Sequence, residues 1–288
     1  LLTLSWPLLV LVLAGGGVVA WQHVVEFRLS RRMRRLFSSY VTERVVERLI
    51  AEPAMARLGG ERREVTILFA DIRGFTTFSE KHPPEEVVRT LNEYLGAMTE
   101  VIFRWEGTLD KFIGDTILAF WGAPLPQTDH PERALRCALH LCSRLDGLNA
   151  AWTAAGRPPL EIGVGVSTGS VLVGNIGAEG KKMDYTVIGD QVNLCSRVEE
   201  LTKSHRTRIL ITASTFERVQ PLLANGGIGH VAVEGPVEVV VKGREEAVSV
   251  YRVTPKEHGE PAAAFVFPSS CATVSPCSEN SRQDNQGG

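Results

Sequence analysis

The sequence lacks an excess of charge of either sign. Its 31 Lys+Arg against 33 Asp+Glu leave a formal net charge of −2, so there is no global basic field of the kind that gathers nucleic acid, and no acidic surplus of the kind that keeps a chain unfolded. Cysteine is also sparse, with five in 288 residues. Their positions (137, 142, 195, 271 and 277) show neither CxxC spacing nor a framework pattern, which excludes a disulfide-stapled secreted domain and fits a reduced, cytosolic setting for most of the chain. The seven His form no cluster with metal-ligand spacing, and there is no internal repeat. Hydrophobic residues at 44% and charged residues at 22% are ordinary values for a chain that can bury a full core.

One absence is local. Leu1 to Val25 contains no Asp, Glu, Lys or Arg, and the 21 residues to Trp21 span about 31 Å as a helix, close to a bilayer's hydrocarbon core. The next stretch, Glu26 to Leu36, carries Arg28, Arg31, Arg32, Arg34 and Arg35 against one Glu. Residues 1–25 are therefore expected to be a transmembrane helix, with the membrane contact through residues 1–21. The basic collar places the rest of the chain on the cytoplasmic side, so the chain is expected at the cell membrane. Residues 26–60 read as a basic juxtamembrane segment and an amphipathic connector helix, with Leu36, Tyr40, Val41, Val45, Leu49 and Ile50 at helical spacing. That helix is either a dimer seam or a piece that packs on its own domain. The first residue is Leu rather than Met, which suggests the C-terminal piece of a longer chain. Residues 255–288, rich in Ser, Pro, Gly and Asn, read as a disordered tail, with Ala262 to Phe267 as a segment that can dock.

Residues 61–254 read as one α+β domain. Glu64 to Ala70 is a buried strand, Pro84 to Trp105 an amphipathic helix with Val87, Leu91, Leu95, Met98 and Ile102 on one face, and Gly107 to Gly122 a hairpin turning at Gly114-Asp115. A helix over Glu132 to Asn149 comes next, then strands Leu160 to Ser167 and Val171 to Asn175. After them stands a helix over Asp190 to Thr202 with Asp190 suited to its N-cap, and then four short strands at 209–211, 229–233, 237–242 and 248–253. This order suggests a mostly antiparallel sheet covered on one face by helices, a ferredoxin-like split βαβ arrangement.

Two acids stand where chemistry is available. Asp71 ends a hydrophobic strand at a turn into a helix, and Asp115 sits at the hairpin tip. Either alone is an ordinary turn residue, but two carboxylates on adjacent strands can bridge two hard cations, the requirement for in-line phosphoryl displacement. Asn193 and Arg197 are spaced i, i+4 and project from one helix face.

Three stretches, VTILFADIRGFT (65–76), DKFIGDTILAFWG (110–122) and MDYTVIGDQVNLCSRVEELT (183–202), resemble the signature segments of class III nucleotidyl cyclases in order and separation. The likeness covers about Glu64 to Val253. It implies the cyclase fold, an activity converting ATP to 3′,5′-cyclic AMP and pyrophosphate, and two Mg²⁺ or Mn²⁺ ions per site held by Asp71, Asp115 and the Ile72 carbonyl. It implies that backbone N–H groups around Gly74, Phe75 and Thr76 cradle phosphate oxygens, that Asn193 positions the ribose, and that Arg197 neutralises charge on the α-phosphorus in the transition state. Lys242 matches a late lysine contacting the β- and γ-phosphates.

Lys111 and Thr186 align with the purine-reading pair. Lysine only donates and adenine N1 only accepts, whereas guanine N1 carries a hydrogen, so adenine is favoured. Thr186 discriminates less, because a hydroxyl can accept from an adenine amino group or donate to a guanine carbonyl. Guanylate-specific members resemble Glu with Cys or Ser here, and no GGDEF stretch of a diguanylate cyclase is present. Since one chain carries every part, the resemblance implies a head-to-tail homodimer with shared active sites. The membrane helix and collar resemble bacterial cyclases that follow a CHASE-type sensor. The competing expectations are a guanylate or dual-specificity cyclase, or a catalytically silent regulatory or dimerisation module, whose mark would be loss of a metal Asp or of the Arg.

Overall fold

The computed structural model describes residues 59–178, 182–229, 231–240 and 247–255. The expected membrane helix, collar, connector helix and tail, and Lys242, lie outside them, apart from Gly59, Gly60 and Pro255. Among the described residues no helix is long and apolar enough to cross a membrane.

Thirteen elements occur in order among the described residues: β1 (Gly59–Ile72), α1 (Phe75–Lys81), α2 (Pro84–Arg104), β2 (Thr108–Ile113), β3 (Thr116–Trp121), α3 (His130–Ala154), β4 (Ile162–Ala178), β5 (Lys182–Ile188), α4 (Asp190–Ser204), β6 (Ile209–Thr212), α5 (Ala213–Ala224), β7 (Val231–Val239) and β8 (Val248–Pro255). The sheet order is β2-β3-β1-β4-β6-β8-β7, with β5 paired to β4. Its first four strands are antiparallel throughout, and with α2 and α3 they form the expected split βαβ unit. β6 then joins parallel to β4 and β8 and β7 extend the sheet. β1 is central because Val65 to Ala70, apolar but for Thr66, is buried on both sides of the strand.

Helices cover both faces, not one. On one side Thr66 meets His130 of α3 and Thr168 meets Thr215 of α5. On the other, α4 lies against β4 along Gly163, Gly165 and Gly169. A Cβ on Gly165 would stand 2.5 Å from the backbone nitrogen of Glu199, and one on Gly169 2.7 Å from the Gln191 side chain. The glycine stripe admits a helix to a face that larger side chains would hold away. The same glycines explain why two expected strands are one: Gly169, read as a turn, is extended and pairs with Val65.

Other boundaries also moved. α4 is capped by Gly189, so Asp190 is its first residue rather than its N-cap. The buried stripe of α2 runs through Thr90, Tyr94, Ala97, Met98, Val101 and Ile102, and Val87, Leu91 and Leu95 flank it half-buried. β5 and α5 were not expected, and β7 is one strand with an irregularity between Glu234 and Val237 where two strands were read.

Candidate active site

The acidic pair is built by two turns. After Ile72 the chain is pinned by Arg73, whose backbone N–H donates to the Glu161 carbonyl at 2.8 Å and whose guanidinium donates to the carbonyls of Thr202, at 3.3 Å, and Thr207. Gly74 then takes φ 69°, a left-handed conformation that costs glycine little and starts α1. The β2–β3 turn uses Gly114 at φ 67° in the same way and delivers Asp115.

Thr116 Oγ1 donates to Asp71 Oδ1 at 2.6 Å. Burial, and then the charge of Asp71, push the Asp115 carboxyl up to about 6, although the backbone N–H groups of Asp115 and Ile72 pull it down. Two half-buried carboxylates that repel one another are a donor set suited to a divalent cation. Among the described residues no group of three or more His, Cys, Asp or Glu is placed to hold a metal. Asp71 and Asp115 are thus the two carboxylates here that could hold a hard cation, which would need further oxygen ligands besides.

A third acid stands behind this pair and was missed in the sequence. Burial first, and the charge of Asp71 second, push Glu199 of α4 up to about 8, so its protonated form is favoured at pH 7 and its repulsion of the pair is reduced. Its Oε1 fills the space where a Cβ on Gly163 would lie, 2.5 Å away, and Gly163 is the register partner of Asp71. In sequence Glu199 looks like a solvated helix position; only the glycine opposite it hints otherwise.

Lys111 and Thr186, 75 residues apart, are brought together: Lys111 Nζ donates to Thr186 Oγ1 at 3.3 Å. Asp110 completes the cluster. It is the residue at which β2 slips register against β3 between Leu109 and Lys111, and its carboxylate, 1% exposed, accepts from Thr186 Oγ1 at 2.6 Å and from the Val187 N–H at 3.4 Å. Lys111 Nζ stands 3.2 Å from its other oxygen as an ion pair, without the geometry of a hydrogen bond, so that buried oxygen keeps its charge paired but accepts no hydrogen bond. Burial pushes the Asp110 carboxyl up, while Thr186, Lys111 and Val187 pull it back.

On α4, Leu194, Cys195, Val198 and Thr202 are buried, while Asn193 is exposed and Arg197 half-buried. No hydrogen bond or ion pair among the described residues joins Asn193, Arg197, Lys111 or Thr186 to Asp71 or Asp115. Among the described residues, then, the acidic pair and the base-and-arginine set are not joined by a hydrogen bond or an ion pair.

Residues 60–254 match the adenylate and guanylate cyclase catalytic domain. The chain belongs to this family. It is 36% identical over 217 residues to adenylate cyclase 1 of Rhizobium meliloti (strain 1021), covering 75% of this chain and 31% of that protein. The chain therefore spans about a third of that relative's length. Among solved structures, the guanylyl cyclase Cya2 is 41% identical with a TM-score of 0.61, covering 70% of this chain and 97% of that one. The adenylyl cyclase CyaB from P. aeruginosa is 33% identical with a TM-score of 0.62, covering 71% and 100%. Both base specificities occur at comparable likeness, so overall identity does not choose between them.

Proposed function

We propose that this cyclase domain makes 3′,5′-cyclic AMP and pyrophosphate from ATP, as a homodimer with two shared sites. The observation that carries the choice of ATP is the Lys111–Thr186 pair, which presents a donor where adenine N1 accepts. The likeness to Cya2 favours a guanylate cyclase as the second reading, and Lys111 opposes it, since its ammonium would meet the N1–H of guanine donor to donor. A silent module is disfavoured because Asp71, Asp115, Asn193 and Arg197 are all present.

Asp71, Asp115 and the Ile72 carbonyl are the groups that would hold two Mg²⁺ or Mn²⁺ ions, which when bound acidify the ribose 3′-OH and stabilise the departing pyrophosphate. The N–H groups at Gly74, Phe75 and Thr76 open α1 toward phosphate oxygens. The partner helix α4 supplies Asn193 to orient the ribose and Arg197, whose planar donor fork matches the oxygens of the α-phosphate. Lys242 adds charge for the β- and γ-phosphates. Dimerisation is supported by the lack of any hydrogen bond or ion pair joining the two halves among the described residues, and by exposed Phe112 and Ile113 beside the β2–β3 turn. Leu172 and Ile188, register partners on β4 and β5, are likewise exposed.

The membrane placement, with residues 1–21 spanning, the domain cytoplasmic and a CHASE-type sensor upstream, rests on the charge-free run and the arginine collar. No nucleic-acid partner is proposed, in keeping with the net charge of −2. The test is an assay of the 288-residue chain in detergent with ATP and GTP plus Mn²⁺. Cyclic AMP as the main product supports the reading, and cyclic GMP as the main product, or no cyclic nucleotide at high protein concentration, overturns it.

A further inference from the structure

Thr186 is ambiguous by its chemistry alone: a hydroxyl has one proton to give and two lone pairs to receive. Its surroundings remove the ambiguity. Asp110 Oδ2 lies 2.6 Å from Thr186 Oγ1 and also faces the Val187 N–H. The other carboxylate oxygen lies 3.2 Å from the Lys111 ammonium. An N–H and an ammonium can only donate, so they hold Asp110 as an acceptor, and the proton between Asp110 and Thr186 belongs to the threonine. One threonine lone pair faces Lys111 Nζ at 3.3 Å, and the other is left for a ligand.

Resting on the adenylate cyclase reading above, we infer that Asp110 is a specificity-determining positioning residue, which takes the hydroxyl proton of Thr186 and leaves that threonine able only to accept from the purine. Adenine then finds two matches, N1 with the lysine donor and its amino group with the threonine lone pair. Guanine finds two conflicts, N1–H against the ammonium and its carbonyl oxygen against a lone pair. The step in register at Asp110 allows this: with one extra residue in β2, two consecutive side chains, Asp110 and Lys111, reach the same threonine, which strict alternation forbids. Thr186 with Asp110 behind it thereby does the work of a base-reading carboxylate while staying uncharged.

The experiment compares kcat/KM for ATP and GTP in the 288-residue chain, in detergent with Mn²⁺, for the unmodified protein, Asp110→Asn and Thr186→Ser. In Asp110→Asn donors stand on both sides, and the amide oxygen turns to the charged Lys111, at 3.2 Å, rather than to the Val187 N–H at 3.4 Å, because an ammonium donor is the stronger. Its NH₂ then faces the threonine, freeing that hydroxyl to donate to a guanine carbonyl. The expected result is a fall in the ATP/GTP ratio on the order of tenfold, with Thr186→Ser keeping the ratio because it keeps the hydroxyl. The change should vanish when Asp110→Asn is made in a Thr186→Val background, which a merely structural role would not produce. An unmodified protein that selects ATP while Asp110→Asn slows both substrates equally overturns this inference alone. An unmodified protein that prefers GTP or uses neither overturns the adenylate cyclase reading and this inference with it. Should Asp110→Asn fail to fold, Asp110→Ser is the smaller replacement with the same expectation. The unmodified protein also offers a direct check: 6-methoxypurine riboside triphosphate keeps N1 as an acceptor but presents an ether oxygen in place of the amino group. Its use on a par with ATP would overturn an acceptor-only Thr186.

Discussion

The acidic pair and the base-reading cluster both draw charge out of water on one sheet, half-buried in the first and buried in the second, and they are balanced in opposite ways. In the acidic pair the leading influence on Asp115 after burial is the charge of Asp71, and its carboxyl is driven up to about 6. At Asp110 burial is answered inside the chain by Thr186, Val187 and Lys111. On the proposed reading the first site is left open for a cation from outside, and the second is closed so that the polarity of one hydroxyl is set. A site that recruits charge keeps its own uncompensated, whereas a site that reads a base pairs its charge and fixes the polarity of its hydroxyl beforehand.

The largest effect should come from emptying the open site. Asp71→Ala, Asp115→Ala or Arg197→Ala should each cut cyclase activity by more than about a hundredfold. Mixing Asp71→Ala chains with Arg197→Ala chains should restore about a quarter of the original activity, because half the dimers are mixed and each of those has one intact site of two. Folded, dimerising variants that recover nothing on mixing would mean that the two halves do not come from different chains.

The closed site should change choice rather than rate. Lys111→Glu with Thr186→Cys converts the donor to an acceptor and should lower the ATP/GTP ratio of kcat/KM by on the order of a hundredfold, as two reversed contacts of about tenfold each. An unaltered ratio would remove the base-reading assignment.

How much of each feature was legible in the sequence depends on how local that feature is. β1, the hairpin and the acids Asp71 and Asp115 were readable because a hydrophobic run ending in Asp and a Gly-Asp turn are decided by neighbours in the chain. Asp110 was not, because its role depends on a register step in β2 and on Thr186, 76 residues away. Glu199 was hidden for the same reason, its burial being decided by Gly163 across the sheet. Gly169 misled because close approach and turning both call for glycine, and only the packing of Gln191 distinguishes them. Helix α5 was obscured by Pro221 in its last turn.

Glu199 separates repulsion from burial. With its carboxyl raised from 4.5 to about 8, the folded protein keeps a proton that the unfolded chain has lost, so stability falls as pH rises from about 4.5 to 8. Glu199→Gln removes this decline. Urea unfolding should find the variant equal to the unmodified protein at pH 5 and more stable by about 1–2 kcal/mol at pH 8. Parallel curves at both pH values would show that Glu199 is not held protonated.

The smallest effect tests the open site without turnover. Asp115, raised from 3.8 to about 6, also costs stability as pH rises through that window, but it is only half-buried and solvent screens the cost to about 1 kcal/mol or less. A divalent cation that binds the ionised pair relieves the repulsion only where both acids are charged. Added Mg²⁺ should therefore raise Tm by about 2–4 °C at pH 7.5 and by less at pH 5. Asp115→Asn should lack the increment, and it should melt slightly higher than the unmodified protein in EDTA at pH 7.5, because the repulsion is gone in the absence of metal. If Mg²⁺ raised Tm equally in the variant, the ion would be bound elsewhere. The contrast between an open acidic site and a closed base-reading one would then lose its first half, while the Asp110–Thr186 arrangement would be untouched.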